Sequence, residues 1–292
     1  MYTAVPPENA LADGRTDART DALIAQRPQD QADGLRRLFA ASRVRFIPVV
    51  SNPHVLRAEV LLEGLCAAYS ELGLHTLVVD AGETSPKPAE LSSVDLGNCI
   101  ERLSRDVSYL AARGLPMRYI NAQGSAAQFL EAVAEAAPQA DVILLHAPYT
   151  ELARVVALRE LRPVLLADID TQSVTHAYAG MKWLAQRAGL MVYSLLMACS
   201  PQLRLSERIA QQISSCGESF LGAVLRDWAC MDPRMPVSSP ITAEMRHMAR
   251  ELLQVAPPGA ALHAATADAA PLRPRAGAPA HGAQFPSRPA ML

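Results

Sequence analysis

The feature that most limits the fold of this chain is an alternation of continuous apolar runs with stretches of helical spacing. The runs Val142 to Leu145 and Val164 to Ala167 contain no polar side chain. Such runs are typical of parallel strands that are covered on both faces. Stretches with helical periodicity separate the runs, as in units where a helix connects two parallel strands. The sequence therefore predicts an α/β fold with a single doubly wound, mostly parallel sheet and helices on both faces.

The predicted elements place a polar rim at one edge of this sheet. Strands are predicted at residues 44–50, 75–80, 117–121, 141–147, 163–169, 190–198 and 220–229. Helices are predicted at residues 57–72, 97–113, 125–137, 150–160, 173–188, 202–216 and 241–254. Ligands of such sheets bind at the carboxyl ends of the strands. In this sequence those ends carry Ser51, Asp80, His146 and Asp168.

Composition predicts one folded domain between two tails. The 292 residues are 50% hydrophobic, which is enough to fill the core of one large domain. Residues 1–27 and 256–292 mix Pro, Ala and Arg with little apolar periodicity, so both are predicted to be disordered. Between them, residues 28–42 are predicted to form a helix and residues 43–255 the α/β domain.

Charge and cysteine content argue against several classes of function. A formal net charge of -2 and a pI near 6.4 provide no positive field for nucleic acid. The five cysteines lack the paired spacing of zinc sites, so no metal site is predicted. Prolines in the C-terminal tail interrupt any amphipathic helix, and no direct membrane anchor is predicted. No signal peptide is recognised, and a cytoplasmic location is expected.

The loop after the first predicted strand has the position of a phosphate-binding loop but lacks its residues. Residues 51–59 read Ser-Asn-Pro-His-Val-Leu-Arg-Ala-Glu. A phosphate-binding loop needs glycines whose N–H groups surround the phosphates, a Lys for the phosphate charge and a hydroxyl for magnesium. This loop has no glycine, Pro53 has no N–H, and the carboxylate of Glu59 would repel a phosphate. The sequence therefore predicts that neither ATP nor magnesium is a cofactor.

A short segment before the first strand has the features of a helix that binds a partner. It reads Asp30-Gln31-Ala32-Asp33-Gly34-Leu35-Arg36. Leu35, Leu38 and Phe39 form an apolar stripe on a helix over residues 28–42. Gly34 lowers the intrinsic stability of that helix, which favours ordering on a partner. The stripe is also compatible with packing on this protein's own sheet.

These motifs resemble the flagellar-number regulators of the MinD/ParA ATPase class, the FlhG/FleN family. Members begin with an Asp-Gln-Ala-x-x-Leu-Arg helix shortly before the first strand. Three further segments resemble the family's Walker B strand, a Ser-Val-Thr-Asp-Ala-Tyr helix start and a late strand; they are Asp141–Pro148, Ser173–Tyr178 and Phe220–Val224. The resemblance spans roughly residues 29 to 254 and implies a MinD/ParA-like P-loop NTPase fold.

The resemblance also implies that the nucleotide site is degenerate. Pro53 falls on the signature Lys of the class, Ala58 on the P-loop Lys and Glu59 on the magnesium-binding hydroxyl. Asp80 matches a family acidic position, and His146 stands where the Walker B Asp is expected. The degenerate loop would comprise Ser51, Asn52, Pro53, Arg57, Ala58 and Glu59, with Asp80 and His146 as vestigial positions. A pair between Arg57 and Glu59 is expected to fill the emptied loop.

The family's N-terminal helix is understood to dock on the flagellar signal-recognition-type GTPase FlhF and to stimulate its GTP hydrolysis. The residues carried over to this role are Asp30, Gln31, Ala32, Leu35 and Arg36. Gln31 could orient the attacking water, and Arg36 could stabilise the developing phosphate charge. The expected function is regulation of flagellar number or placement by a monomer or an ATP-independent dimer. Its partner could recruit it to the cell pole or membrane.

Two alternatives remain open from the sequence. One is an active ATPase switch with an atypical loop, in which Arg57 or Lys182 reaches the phosphates. The other is a non-catalytic antiactivator scaffold that binds a flagellar transcription regulator or a basal-body component. Truncation of residues 1–40 would leave binding by such a scaffold unchanged.

Overall fold

The structure, a computed structural model, describes residues 44–254 except 94, 157, 158, 203, 237 and 238. The predicted helix at residues 28–42 and the two predicted tails, residues 1–27 and 256–292, lie outside the described residues.

The described part of the chain alternates strands and helices. The strands are β1 (Arg45–Val50), β2 (Thr76–Asp80), β3 (Glu101–Arg102), β4 (Val107–Ala111), β5 (Val142–Ala147), β6 (Val164–Ala167), β7 (Val192–Met197) and β8 (Val224–Cys230). The α-helices are α1 (Ala58–Ser70), α2 (Gln128–Ala136), α3 (Tyr149–Val155), α4 (Thr171–Ala188), α5 (Arg204–Leu221) and α6 (Ala243–Leu253). Short 3₁₀ turns occur at Glu90–Ser93, Gly97–Cys99 and Pro116–Tyr119.

The strands form one eight-stranded sheet in the order β3-β4-β2-β5-β1-β6-β7-β8. The edge strand β3 pairs antiparallel with β4, and the remaining neighbours pair in parallel. In β5 and β6 every residue is buried, as expected for strands with covered faces. The predicted mostly parallel sheet with helices on both faces is confirmed.

Two hydrophobic cores lie on opposite faces of this sheet. Helices α1 and α6 pack on one face, with Leu61 and Met248 fully buried there. Helices α2, α3, α4 and α5 pack on the other, with Phe129 and Leu184 buried. None of the helices in the described part of the chain is long and apolar enough to cross a membrane.

Two predicted elements were wrong. The segment predicted as a helix at 97–113 contains a 3₁₀ turn, the edge strand β3 and strand β4. Its apolar residues Leu103, Val107 and Leu110 have helical spacing, but alternate positions of β4 are more deeply buried and the strand pairs with β2. The segment predicted as a strand at 117–121 is mostly a 3₁₀ turn that begins at Pro116, which lacks a donor for a strand ladder.

Candidate functional site

The loop between β1 and α1 is held in place by backbone hydrogen bonds and by the buried side chain of Val55. The Ser51 amide donates to the Ala147 carbonyl at 2.9 Å, and the Val55 amide donates to the Asn52 carbonyl at 3.0 Å. Val55 is buried in the core beneath α1, while Pro53 and Leu56 are exposed. The loop is therefore a compact turn anchored at both ends.

The amide of Asn52 ties this turn to two other elements. Its Nδ2 donates to the Leu166 carbonyl at 2.8 Å, to the Ser173 carbonyl at 3.0 Å and to Ser173 Oγ at 3.1 Å. Its Oδ1 accepts from the His54 amide at 3.1 Å. Asn52 is only 4% exposed, so these bonds are shielded from water. The side chain links β1 to the end of β6 and to the first turn of α4.

The charged residues of the loop contact each other and a neighbouring loop. Arg57 Nε lies 3.7 Å from Glu59 Oε1, and Arg57 Nη1 donates to the Pro233 carbonyl at 2.6 Å. Both side chains of the pair are more than half exposed. The pair is therefore exposed to solvent and does not fill the loop, whereas the Asn52 side chain is buried. Glu59 stands in the first turn of α1, where a carboxylate interacts favourably with the helix dipole.

Two histidine rings lie close together here, one from the loop and one from α4. The rings of His54 and His176 lie 5.8 Å apart, and the ring of Tyr149 lies 5.3 Å from that of His176. Burial is the main cause that lowers the pKa of His176 below its ordinary value. A neutral ring at this position adds no positive charge for a phosphate.

At the carboxyl ends of β2 and β5, Asp80 and His146 form a hydrogen-bonded pair. They are direct neighbours in the strand register, and His146 Nδ1 lies 2.7 Å from Asp80 Oδ1. Because an ionised carboxylate can only accept, Nδ1 carries the proton and donates. Gly82 allows the chain to pass close to this pair, since a Cβ there would lie 2.7 Å from His146 Cε1.

The remaining bonds of Asp80 come from a turn and from β4. Ser85 Oγ donates to Asp80 Oδ1, which also accepts from the Gly82 amide at 3.2 Å. Tyr109 OH donates to Asp80 Oδ2 at 3.1 Å. Both oxygens of the Asp80 carboxylate are thus engaged within the protein.

These contacts shift the pKa values of Asp80 and Tyr109. Burial acts to raise the pKa of Asp80, but the hydrogen bonds from His146, Ser85 and the Gly82 amide together outweigh it, and the pKa lies below its ordinary value. Burial and the neighbouring Asp80 carboxylate raise the pKa of the Tyr109 hydroxyl. The cluster therefore holds an ionised carboxylate and a neutral phenol.

Two buried polar atoms beside this cluster have no hydrogen-bond partner among the described residues. They are His146 Nε2 and Ser51 Oγ. Ser51 and His146 lie near the carboxyl ends of the neighbouring strands β1 and β5. Among the described residues, no group of three His, Cys, Asp or Glu side chains is arranged to hold a metal ion.

The structure brings together only part of the predicted polar rim. Asp80 and His146 are in contact, whereas Asp168 bonds locally. The Asp168 amide donates to Ser173 Oγ at 2.7 Å, and Asp168 Oδ1 accepts from the Ile169 amide at 2.7 Å. Lys182 is exposed on α4, and no hydrogen bond or ion pair within the described part of the chain joins it to the loop.

Several residues of this site were missed by the sequence reasoning. Ser85 and Tyr109 bind Asp80, and Ser173 receives the amide of Asn52. Tyr109 was assigned to a helix, which hid its position beside β2. The polar residue Ser173 in the Ser-Val-Thr helix start was the one available signal, because a hydroxyl near a helix start often bonds to nearby backbone groups, as Ser173 Oγ does with the Asp168 amide.

Comparisons with known proteins place the fold. No protein-family model matches the sequence, and no curated protein matches it. The cobyrinic acid a,c-diamide synthase of Mycobacterium smegmatis with bound ADP and magnesium is similar over 72% of this chain and 94% of that one, with 15% identity and a TM-score of 0.51. A candidate plasmid partition protein of Borrelia burgdorferi bound to AMPPNP is similar over 73% and 98%, with 7% identity and a TM-score of 0.51. The MinD cell division protein of Aquifex aeolicus is similar over 72% and 96%, with 14% identity and a TM-score of 0.48.

The sheet order and these likenesses define a MinD/ParA-like P-loop NTPase fold. The loop between β1 and α1 stands at the position of the phosphate-binding loop of that fold. At such low identities the likeness concerns the fold alone.

Proposed function

We propose that this protein is a pseudo-ATPase that regulates flagellar assembly. It would bind an FlhF-like flagellar GTPase through the Asp-Gln-Ala-x-x-Leu-Arg helix at residues 28–42 and stimulate GTP hydrolysis by that GTPase. The folded domain would act as a scaffold without an ATP or magnesium cofactor. The fold supports a regulator of the MinD/ParA kind, and the N-terminal heptad supports the flagellar role.

The observation that carries the pseudo-ATPase part is the position of the Asn52 amide. Two solved neighbours hold ADP or AMPPNP. A loop that surrounds a phosphate must direct free N–H groups inward. Here the buried amide of Asn52, within that loop, bonds to Leu166 and Ser173, and Pro53 supplies no N–H. Ala58 supplies no cation, and Glu59 adds a negative charge beside the site.

The active-ATPase alternative needs a cation that reaches the phosphates. Arg57 is engaged with Glu59 and with the Pro233 carbonyl, so its charge is partly neutralised and its position is fixed outside the turn. Among residues that the structure describes, no hydrogen bond or ion pair holds Lys182 over the loop. We therefore favour the scaffold without nucleotide.

Action on a GTPase follows from the chemistry of the heptad. GTP hydrolysis requires an oriented water and stabilisation of the charge that develops on the phosphate. The amide of Gln31 could orient the water, and Arg36 could stabilise the charge. Leu35 would anchor the helix on the GTPase, with Asp30 and Ala32 completing the contact. Such a partner would also recruit the protein to the pole or membrane from the cytoplasm, without a nucleic-acid contact or an anchor of its own.

The test is the GTP hydrolysis rate of the FlhF-like GTPase from the same genome. We expect the intact chain to accelerate hydrolysis and Gln31→Ala to reduce that stimulation at least about tenfold, because the water is no longer oriented. A chain that lacks residues 1–40 should give no stimulation. Gln29→Ala is the matched control, since it removes the same amide from the residue just before the heptad, and it should stimulate like the intact chain.

The outcomes separate this function from its main rival. If the intact chain leaves the GTPase rate unchanged, stimulation by the heptad is refuted. If a transcription regulator or basal-body component is then bound equally by the intact chain and by the chain lacking residues 1–40, the antiactivator scaffold replaces it.

Loss of nucleotide binding has its own consequence for assembly. A dimer that forms around two nucleotides would be stabilised by ATP through mass action. We expect the molar mass in solution to be the same with and without ATP and magnesium, whether the protein is a monomer or a dimer. Light scattering coupled to size-exclusion chromatography measures this directly. An ATP-dependent increase in mass would contradict the pseudo-ATPase proposal.

A further inference from the structure

A large groove lies between α1 and the β4 end of the sheet. Its volume is about 890 Å³, more than one side chain could fill. Its floor and walls are mainly apolar and include Leu62, Val78, Leu103, Val107 and Tyr109. At one end the groove reaches the cluster formed by Asp80 and His146, and at the other it reaches Glu71, just after α1.

The groove exists because the connection from β2 to β4 does not cover this face of the sheet. Parallel strands are usually joined by a crossover helix. Here the described part of the connection contains 3₁₀ turns, and Leu96 within it packs in the core on the opposite face. Leu103, on the rim of the groove, is 61% exposed. An apolar floor with an exposed leucine at its rim is a surface on which another apolar segment can pack.

The wall that α1 contributes is acidic. Glu59, Glu63 and Glu71 all border the groove. Glu71 is paired with Arg246, at 2.6 Å between Glu71 Oε2 and Arg246 Nε. Glu63 is exposed and forms no ion pair with a described residue. The groove therefore suits an apolar segment that carries positive charges.

The chain supplies such a segment shortly before β1. Residues 29–42 contain the apolar stripe Leu35, Leu38 and Phe39, and Arg36 and Arg37 lie between its members. The chain enters β1 at the amino edge of the sheet, and the groove opens at the same edge, beside Glu71 and the start of β4.

The connecting length is sufficient. In the sheet order, β1 is three positions from β4, which is about 14 Å at the usual strand spacing. The five residue steps from Phe39 to Val44 span about 16 Å when extended. The stripe can therefore reach the groove within the same molecule.

We propose that residues 29–42 of this chain dock in the groove between α1 and β4. Leu35, Leu38 and Phe39 cover the apolar floor, and Arg36, on the flank of this stripe, faces the acidic wall at Glu63. The segment then has two alternative binding sites, its own groove and a GTPase, and only the released segment is free to bind the second. The regulatory consequence rests on the proposed function, whereas the docking itself does not.

Hydrogen exchange of the full-length chain tests the docking. We expect the amides of residues 29–42 to exchange at least about tenfold more slowly in the intact chain than in a Glu63→Arg, Leu103→Asp double variant. Both replaced side chains are exposed, so the double variant should fold. Glu135→Arg is the matched control, because it makes the same charge change on α2, on the opposite face of the sheet, and should keep the protection.

A charge reversal provides a second readout. Arg36→Glu combined with Arg37→Glu should lose the protection in the intact background and regain at least part of it in a Glu63→Arg background. Exchange of residues 29–42 at the unprotected rate in the intact chain would overturn the proposal. So would protection that persists unchanged in the double variant.

Two further experiments test whether another segment or a second copy fills the groove. Comparison with the GTPase assay separates the docking from the proposed function. Deletion of residues 255–292 should leave the protection of residues 29–42 intact; a loss would show that the C-terminal tail is needed and overturn the proposal. Protection that rises with protein concentration would assign the groove to a second copy and also overturn it. If the segment is protected but the GTPase is not stimulated, the proposed function fails while the docking stands.

Discussion

Replacement of Asn52 by alanine is expected to lower the free energy of unfolding by about 3 kcal/mol, because buried acceptors lose their donor. The carbonyls of Leu166 and Ser173 would lose the amide that now bonds to each of them. The vacated space lies between β1, β6 and α4, so little solvent can replace that amide. The turn over residues 51–57 should become more mobile once these hydrogen bonds are lost.

Urea unfolding at neutral pH, followed by circular dichroism, measures this change. Asn98→Ala is the matched control, because Asn98 is exposed and, among the described residues, its hydrogen bonds are to the nearby Asp95. It should alter the free energy of unfolding by less than about 0.5 kcal/mol. If Asn52→Ala is no more destabilising than this control, the turn is not held by the Asn52 amide. The pseudo-ATPase proposal then loses its structural support.

The sequence was sufficient to predict the architecture of the sheet. Continuous apolar runs such as Val142 to Leu145 can be accommodated only where both faces are covered, and that requirement leads to helices on both sides. It was insufficient at β4, because Leu103, Val107 and Leu110 have the spacing of a helix, whereas Val107 and Leu110 lie in a strand. Pairing with β2 decides between them, and that contact is made with a distant part of the chain.

The site was predictable in its positions and not in its contacts. The carboxyl ends of parallel strands meet at one edge, so Asp80 and His146 were correctly assigned to the same rim. The bonds of Asn52 join residues 114 and 121 positions apart, and no local pattern encodes such a contact. Tyr109 could not be assigned to Asp80 while its segment was assigned to a helix.

The Asp80 cluster also stabilises the carboxyl ends of β2 and β5. A carboxylate that binds a metal ion keeps oxygen lone pairs free for it. Asp80 instead accepts from His146, Ser85, the Gly82 amide and Tyr109. Four donors from three segments converge on one carboxylate, and its charge should contribute to stability rather than to catalysis.

Asp80→Asn is therefore expected to lower the free energy of unfolding by about 2 kcal/mol at neutral pH, because hydrogen bonds to a charged acceptor become bonds to a neutral one. The contribution should depend on pH in one direction. The pKa of Asp80 in the folded protein lies below the ordinary value of 3.8, so the folded state favours the ionised form. The stabilisation is then fully present above about pH 5 and is lost as the pH falls through the folded pKa.

Urea unfolding of both proteins between pH 3 and pH 7 measures the difference in the free energy of unfolding at each pH. Asp95→Asn is the matched control, because the Asp95 carboxylate is exposed and, within the described part of the chain, accepts from Asn98; it should show a small difference throughout. For Asp80→Asn the difference should be constant from neutral pH down to about pH 5 and should shrink below about pH 4. A difference that grows as the pH falls would mean that the folded state favours the protonated carboxyl, so burial would outweigh the hydrogen bonds from His146 and Ser85.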